Sequence, residues 1–104
     1  MSWRVVFHPE VRGDLTAIAR LLEGYAGRES ALRKLDEIEA VARSLGENPH
    51  RGTRREEVAP GLRAIPAGRR GVIAFGVDER ERVVLVYAIT YGGGDWMGRA
   101  RARR

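Results

Sequence analysis

Apolar residues recur at helical spacing through the first half of the chain and gather into short strand-like runs in the second. Val11, Leu15, Ile18, Leu22 and Tyr25 follow at steps of four, three, four and three, which is one stripe of an amphipathic helix. Pro9 stands where a first-turn proline belongs, Glu10 suits the positive end of the helix, and Gly24 and Gly27 mark its close. Ala31, Leu35, Ile38, Ala42 and Leu45 form a second stripe within Arg28–Leu45, widened by Leu32 and Val41. Gly46 is placed as a left-handed cap, and Pro49 prevents continuation. So short a connection predicts an antiparallel helix hairpin.

Trp3–Phe7, ahead of the hairpin, reads as a strand. Residues 46–61 are broken by Gly46, Pro49, Gly52, Pro60 and Gly61 and read as loop. Leu62–Ile65 is a short strand closed by Pro66, Ala67–Gly71 is a basic turn, and Val72–Val77 is a strand. Asp78–Glu81 is a polar turn before the longest strand, Arg82–Thr90, whose near-continuous apolarity predicts an interior position buried on both faces. The order β-α-α-β-β-β predicts an α+β two-layer sandwich, with the hairpin packed on a mainly antiparallel four-stranded sheet. The sequence reading assigns residues 1–98 to a single domain and 99–104 to an arginine-rich tail expected to fray.

At 104 residues, 43% hydrophobic and 32% charged, the chain fits one domain with a thin core. It has no cysteine, no apolar run of membrane-spanning length and no apolar signal segment, so a cytoplasmic location is expected. The net charge of +5 is unevenly spread. Residues 51–70 carry six arginines against Glu56 and Glu57, and residues 99–104 carry four arginines and no acid. Lys34 is the only lysine, and arginine's planar fork suits phosphate and carboxylate partners.

No metal site or catalytic nucleophile stands out. His8 lies at a strand–helix junction suited to capping, and His50 has no carboxylate at ligand spacing. Gly92-Gly93-Gly94 follows a strand but lacks the lysine and helix of a phosphate cradle. The arginines are the remaining candidates. Arg63, by alternation from Leu62 and Ala64, is expected to leave the helix-covered face, with Arg69 and Arg70 beside it. Tyr91 and Trp96 follow the long strand as candidate aromatic platforms. A solvated sheet face with ordinary surface arginines accounts for the same residues.

Phe7-His8-Pro9-Glu10-Val11-Arg12-Gly13-Asp14-Leu15 is similar to the "F-S-P-E-A-x-x-D-L" opening of the ParE branch of the RelE/ParE toxin superfamily. Ala31–Glu39 resembles its second helix, Asn48–Arg55 its "P-x-x-G-x-x-R" loop, and Pro60–Arg63 and Phe75–Asp78 continue the match. Tyr91–Trp96 stands where the family often shows "H-G-x-R-D". The resemblance implies a toxin of a type II toxin–antitoxin system, used in growth arrest and plasmid maintenance. Its cognate antitoxin would wrap it and carry the DNA-binding half, so DNA would be met only through the antitoxin.

ParE-branch members poison DNA gyrase, and RelE-branch members cleave mRNA on the ribosome. Val72 and Gly94 stand where the nuclease branch has arginines, and its lysine-rich strand is absent. The resemblance therefore implies a gyrase inhibitor without cofactor or metal, contacting its target through Arg63, Arg69, Arg70, Tyr91, Asp95 and Trp96. The alternatives are an mRNA endoribonuclease using Arg63, Arg69 and Tyr91, with Tyr91 as acid or base, or an inactive toxin serving as co-repressor.

Overall fold

The computed structural model describes residues 2–104, without the side chain of Tyr25, so that residue's place on the first stripe lies outside the described residues. Strand β1 (Arg4–Phe7) leads to helices α1 (Val11–Ala26) and α2 (Arg28–Ser44). Strands β2 (Thr53–Arg54), β3 (Leu62–Ala67), β4 (Gly71–Asp78) and β5 (Val83–Tyr91) follow, then helix α3 (Trp96–Arg103). The sheet order is β1-β5-β4-β3-β2; β1 pairs with β5 in parallel and the other neighbours are antiparallel. None of the described helices is long and apolar enough to cross a membrane.

The hairpin packs on one sheet face as expected. Val11, Ile18, Leu22, Ala31, Ile38, Ala42 and Leu45 meet Ile65, Ile73, Phe75, Val84, Val86 and Ile89 in the main core. β5 lies inside the sheet between β1 and β4, buried on both faces. Its register slips once: Ala74 pairs with Ala88 but Phe75 with Val86, leaving Tyr87 as an extra residue. This bulge reverses the alternation, so Val84 and Val86 before it and Ile89 after it face the same helices.

Several expectations need correction. The sheet has five strands, because two residues of the expected loop, Thr53 and Arg54, pair with Ala64 and Arg63. Pro66 does not close β3; it pairs with Val72 beyond the last residue covered by β2, an edge position where a missing N–H is tolerated. Pro9 sits in a turn before α1, and Gly24 lies inside that helix. Leu32 points to solvent. Gly46 is not left-handed; the Trp3 carbonyl comes so close that a Cβ would lie 2.7 Å from it.

The expected fraying tail is instead α3. Its Ala100 is fully buried, packed with Val58, Leu62, Ala74 and Ala88 on the sheet face opposite the hairpin. Arg63 shares its side of β3 with Ile65 and Ala67, the hairpin side, and Leu62 faces α3; the expected direction of Arg63 is therefore reversed. The alternation was sound, but Leu62 belongs to the second face.

Candidate functional site

The residues singled out by the sequence fall into three places. Arg63 lies near the start of β3, where its guanidinium donates to the carbonyls of His50 (3.1 Å) and Arg51 (3.3 Å). Arg69 and Arg70 occupy the exposed β3–β4 turn at the other end of the strand. Tyr91 is level with that turn, opposite Gly71, with the Arg70 guanidinium 5.9 Å from its ring centroid. The Arg70 carbonyl accepts from the Gly92 N–H at 2.9 Å, joining the turn to the end of β5. Arg63 is four residues, or ~13 Å, along β3 from Ala67, where that end begins.

Asp95 and Trp96 open α3. Asp95 caps it by accepting from the Gly98 N–H at 2.9 Å. Gly98 has to be small, since a Cβ there would lie 2.3 Å from the Asp95 carboxylate. Trp96 faces the Arg55 guanidinium at 4.9 Å, and Arg55 Nε donates to Glu57 at 2.6 Å. That hydrogen bond holds the Glu57 carboxyl below its ordinary pKa. Thr53, Arg55, Ala64, Pro66, Val72 and Trp96 line a shallow groove of about 350 Å³ on the α3 side of the sheet. A larger apolar groove of about 400 Å³ runs between the hairpin helices, lined by Phe7, Val11, Leu15, Ala19 and Leu35 and rimmed by Arg12, Glu39 and Arg43.

Two polar arrangements escaped the sequence reading. His50 Nε2 meets the Glu79 carboxylate at 2.5 Å, tying the long loop to the β4–β5 turn across 29 residues. The other involves Asp14, which is only 4% exposed. β1 ends at the level of Val86, so β5 has an open edge beyond it. There Asp14 accepts from the Ile89 N–H at 3.0 Å, and Arg103 donates to the Tyr87 carbonyl at 2.9 Å. The two side chains form a fork at 2.7 and 2.9 Å, and Arg99 adds a bond at 3.2 Å. Together they occupy the hydrogen-bonding positions of a missing strand and fasten α3 to α1. Asp14 pushes the Arg103 guanidinium further above its already high ordinary pKa. The signal for Asp14 was present: it lies three residues after Val11 and four before Ile18, on the apolar stripe.

The family model described as the ParE toxin of the type II toxin–antitoxin system parDE matches residues 5–96. No curated protein sequence matches the chain. A chromosomal ParDE toxin–antitoxin structure from P. aeruginosa superposes with a TM-score of 0.74 at 21% identity, covering 86% of this chain and 96% of that one. The toxin–antitoxin complex RelBE2 from Mycobacterium tuberculosis gives 0.64 at 18% identity, covering 88% and 100%. A mutant of the E. coli toxin RelE in the free state gives 0.55 at 15%, covering 99% and 94%. At these identities the likeness to the three structures is one of fold.

Proposed function

The chain belongs to the ParE toxin family of type II toxin–antitoxin systems, and on that premise we propose that it arrests growth by binding and inhibiting DNA gyrase, and that a cognate antitoxin neutralises it. One observation supports binding rather than catalysis. Arg63 spends its guanidinium on two backbone carbonyls, ~13 Å along β3 from the end that carries Arg69 and Tyr91. An RNA-cleaving site needs a base, an acid and phosphate ligands converging on one phosphodiester.

Target contact is assigned to the Arg69–Arg70 turn with Tyr91 beside it, and to the start of α3 that follows Tyr91 in the chain. Trp96 supplies apolar area there, and Asp95 positions it by capping the helix. Arg63 acts from the far end of β3 by bracing the loop that leads into β2. The antitoxin is assigned to the groove between α1 and α2, whose apolar floor and charged rim suit an amphipathic segment.

The test is a gyrase supercoiling assay with purified protein, with and without antitoxin, scored for inhibition and for trapped cleaved DNA. Inhibition relieved by the antitoxin is the expected result. Folded protein that leaves supercoiling untouched would refute the gyrase reading for the enzyme tested. Ribosome-dependent mRNA cleavage that disappears on Tyr91→Phe would establish the nuclease in its place.

A further inference from the structure

The sequence carries two strongly positive segments, and the fold treats them differently. In α3, Arg99 and Arg103 turn inward onto Asp14 and Arg101 donates to the Val58 carbonyl at 3.0 Å; just after the helix, Arg104 lies over the Tyr87 ring. The segment 51–70 keeps most of its charge uncompensated. Only Arg55 pairs with an acid there among the described residues, through Glu57. Arg51 and Arg63 donate to the Ser44 hydroxyl and to backbone carbonyls, which are neutral acceptors. Arg54, Arg69 and Arg70 are exposed and take part in no ion pair among the described residues.

We infer that this outer border of the sheet, β2 with the β3–β4 turn, is a sequence-independent contact surface for the phosphodiester backbone of duplex DNA. Arg54 lies beside Arg63, and the turn begins after Ala67, ~13 Å further along β3. That span matches about four nucleotides of one strand, at ~3.4 Å of rise each. The arginines sit on a strand and a turn rather than on a helix of the kind that enters a groove and reads base edges. Tyr91 and Trp96, the rings that would stack unpaired bases, each already carry a guanidinium. This arrangement favours a duplex backbone over a single strand. The surface shares Arg69 and Arg70 with the proposed target contact, but it is argued from exposed, unpaired charge alone and does not require the target to be gyrase.

The test is fluorescence anisotropy of the full chain with two labelled duplexes of unrelated sequence, titrated from 50 to 200 mM salt. Three phosphate contacts give a slope of log K against log salt of about −2.7, or about a 40-fold loss of affinity over that range. The two duplexes should bind alike. Replacing Arg54, Arg69 and Arg70 together with alanine should abolish the binding, and each single replacement should flatten the slope by about 0.9. The triple lysine variant should keep the slope, since a backbone contact needs the charge and not the fork; this separates lost contact from lost fold. Alanine at Arg101 in α3 and at Arg104 just after it should change nothing. Binding that survives the triple alanine variant, that prefers one sequence tenfold, or that favours single-stranded RNA over the duplexes would overturn the inference. Gyrase is absent from this titration, so duplex binding can fail while supercoiling is still inhibited, and can hold while it is not.

Discussion

Removing the Asp14 carboxylate should open the sheet edge beyond β1. In Asp14→Ala, the Ile89 N–H loses its acceptor and Arg103, whose side chain is 9% exposed, loses both arms of its fork. Breaking one partner out of a buried charge pair costs about 3–5 kcal/mol, because the remaining charge stays desolvated. Glu10, 3.8 Å from Arg103 Nε and largely exposed, compensates little. At roughly 4 °C per kcal/mol for a domain of this size, the melting temperature should fall by about 12–20 °C.

Urea unfolding followed by circular dichroism reads the loss directly, and amide exchange at Ile89 reports whether it begins at the clasp. Asp14→Asn should fall between wild type and Asp14→Ala, since its amide oxygen still accepts from Ile89 but carries no charge. The double variant Asp14→Leu/Arg103→Met should recover much of the stability, because it removes both charges and keeps apolar volume. A loss under about 1 kcal/mol in Asp14→Ala, with Ile89 still protected, would refute this account of the edge.

Gly46→Ala should destabilise by about 1–3 kcal/mol in thermal melts, since its Cβ would lie 2.7 Å from the Trp3 carbonyl. Gly13→Ala should stabilise by about 0.5–1 kcal/mol, because it lies in α1 with open space around the added methyl. Asp95→Ala should cost about 1 kcal/mol and lower the helical signal of α3, as its cap to Gly98 is lost. The Glu57 carboxyl, held low by Arg55, should titrate below the ordinary glutamate range in NMR, and Arg55→Ala should restore it. A lowered folded pKa stabilises fully above the unfolded value, so that contribution should fade as pH falls below the unfolded pKa and be gone once it has dropped through the folded one. Leu35→Glu, on the floor of the hairpin groove, should abolish the rise in melting temperature that an antitoxin peptide gives.

The hairpin was legible because its stripes obey one helical period, and β5 because an unbroken apolar run suits a strand buried on both faces. The bulge at Tyr87 left no trace in that run, since apolar residues flank it on both sides. β2 is two exposed residues long, too short for any period. What reveals it is Gly52, whose left-handed backbone at φ +79° lets the chain approach Ala64. α3 was hidden by its arginines, which read as a solvated tail. Their partners lie far off in sequence, although Trp96, Met97 and Ala100 already sketch an apolar face. Arg69 and Arg70 lie in the turn where the sequence placed them, and both are exposed. Which basic residues turn inward depended on acceptors and carboxylates that only the tertiary fold brings near.

The pairing of the first strand with the last has a consequence for how the molecule is made. Arg4 meets Val83, and Asp14 waits for a guanidinium 89 residues downstream. At a synthesis rate of roughly 5–20 residues per second, that interval lasts about 4–18 seconds. The hairpin can form early, but its apolar stripes find their full floor only once β5 has left the ribosome, and the clasp closes only after α3. Long-range closure of this kind slows folding. It also means that a chain cut short before Arg103 leaves the β5 edge open, and such a fragment is a substrate for proteolysis or for pairing with another strand.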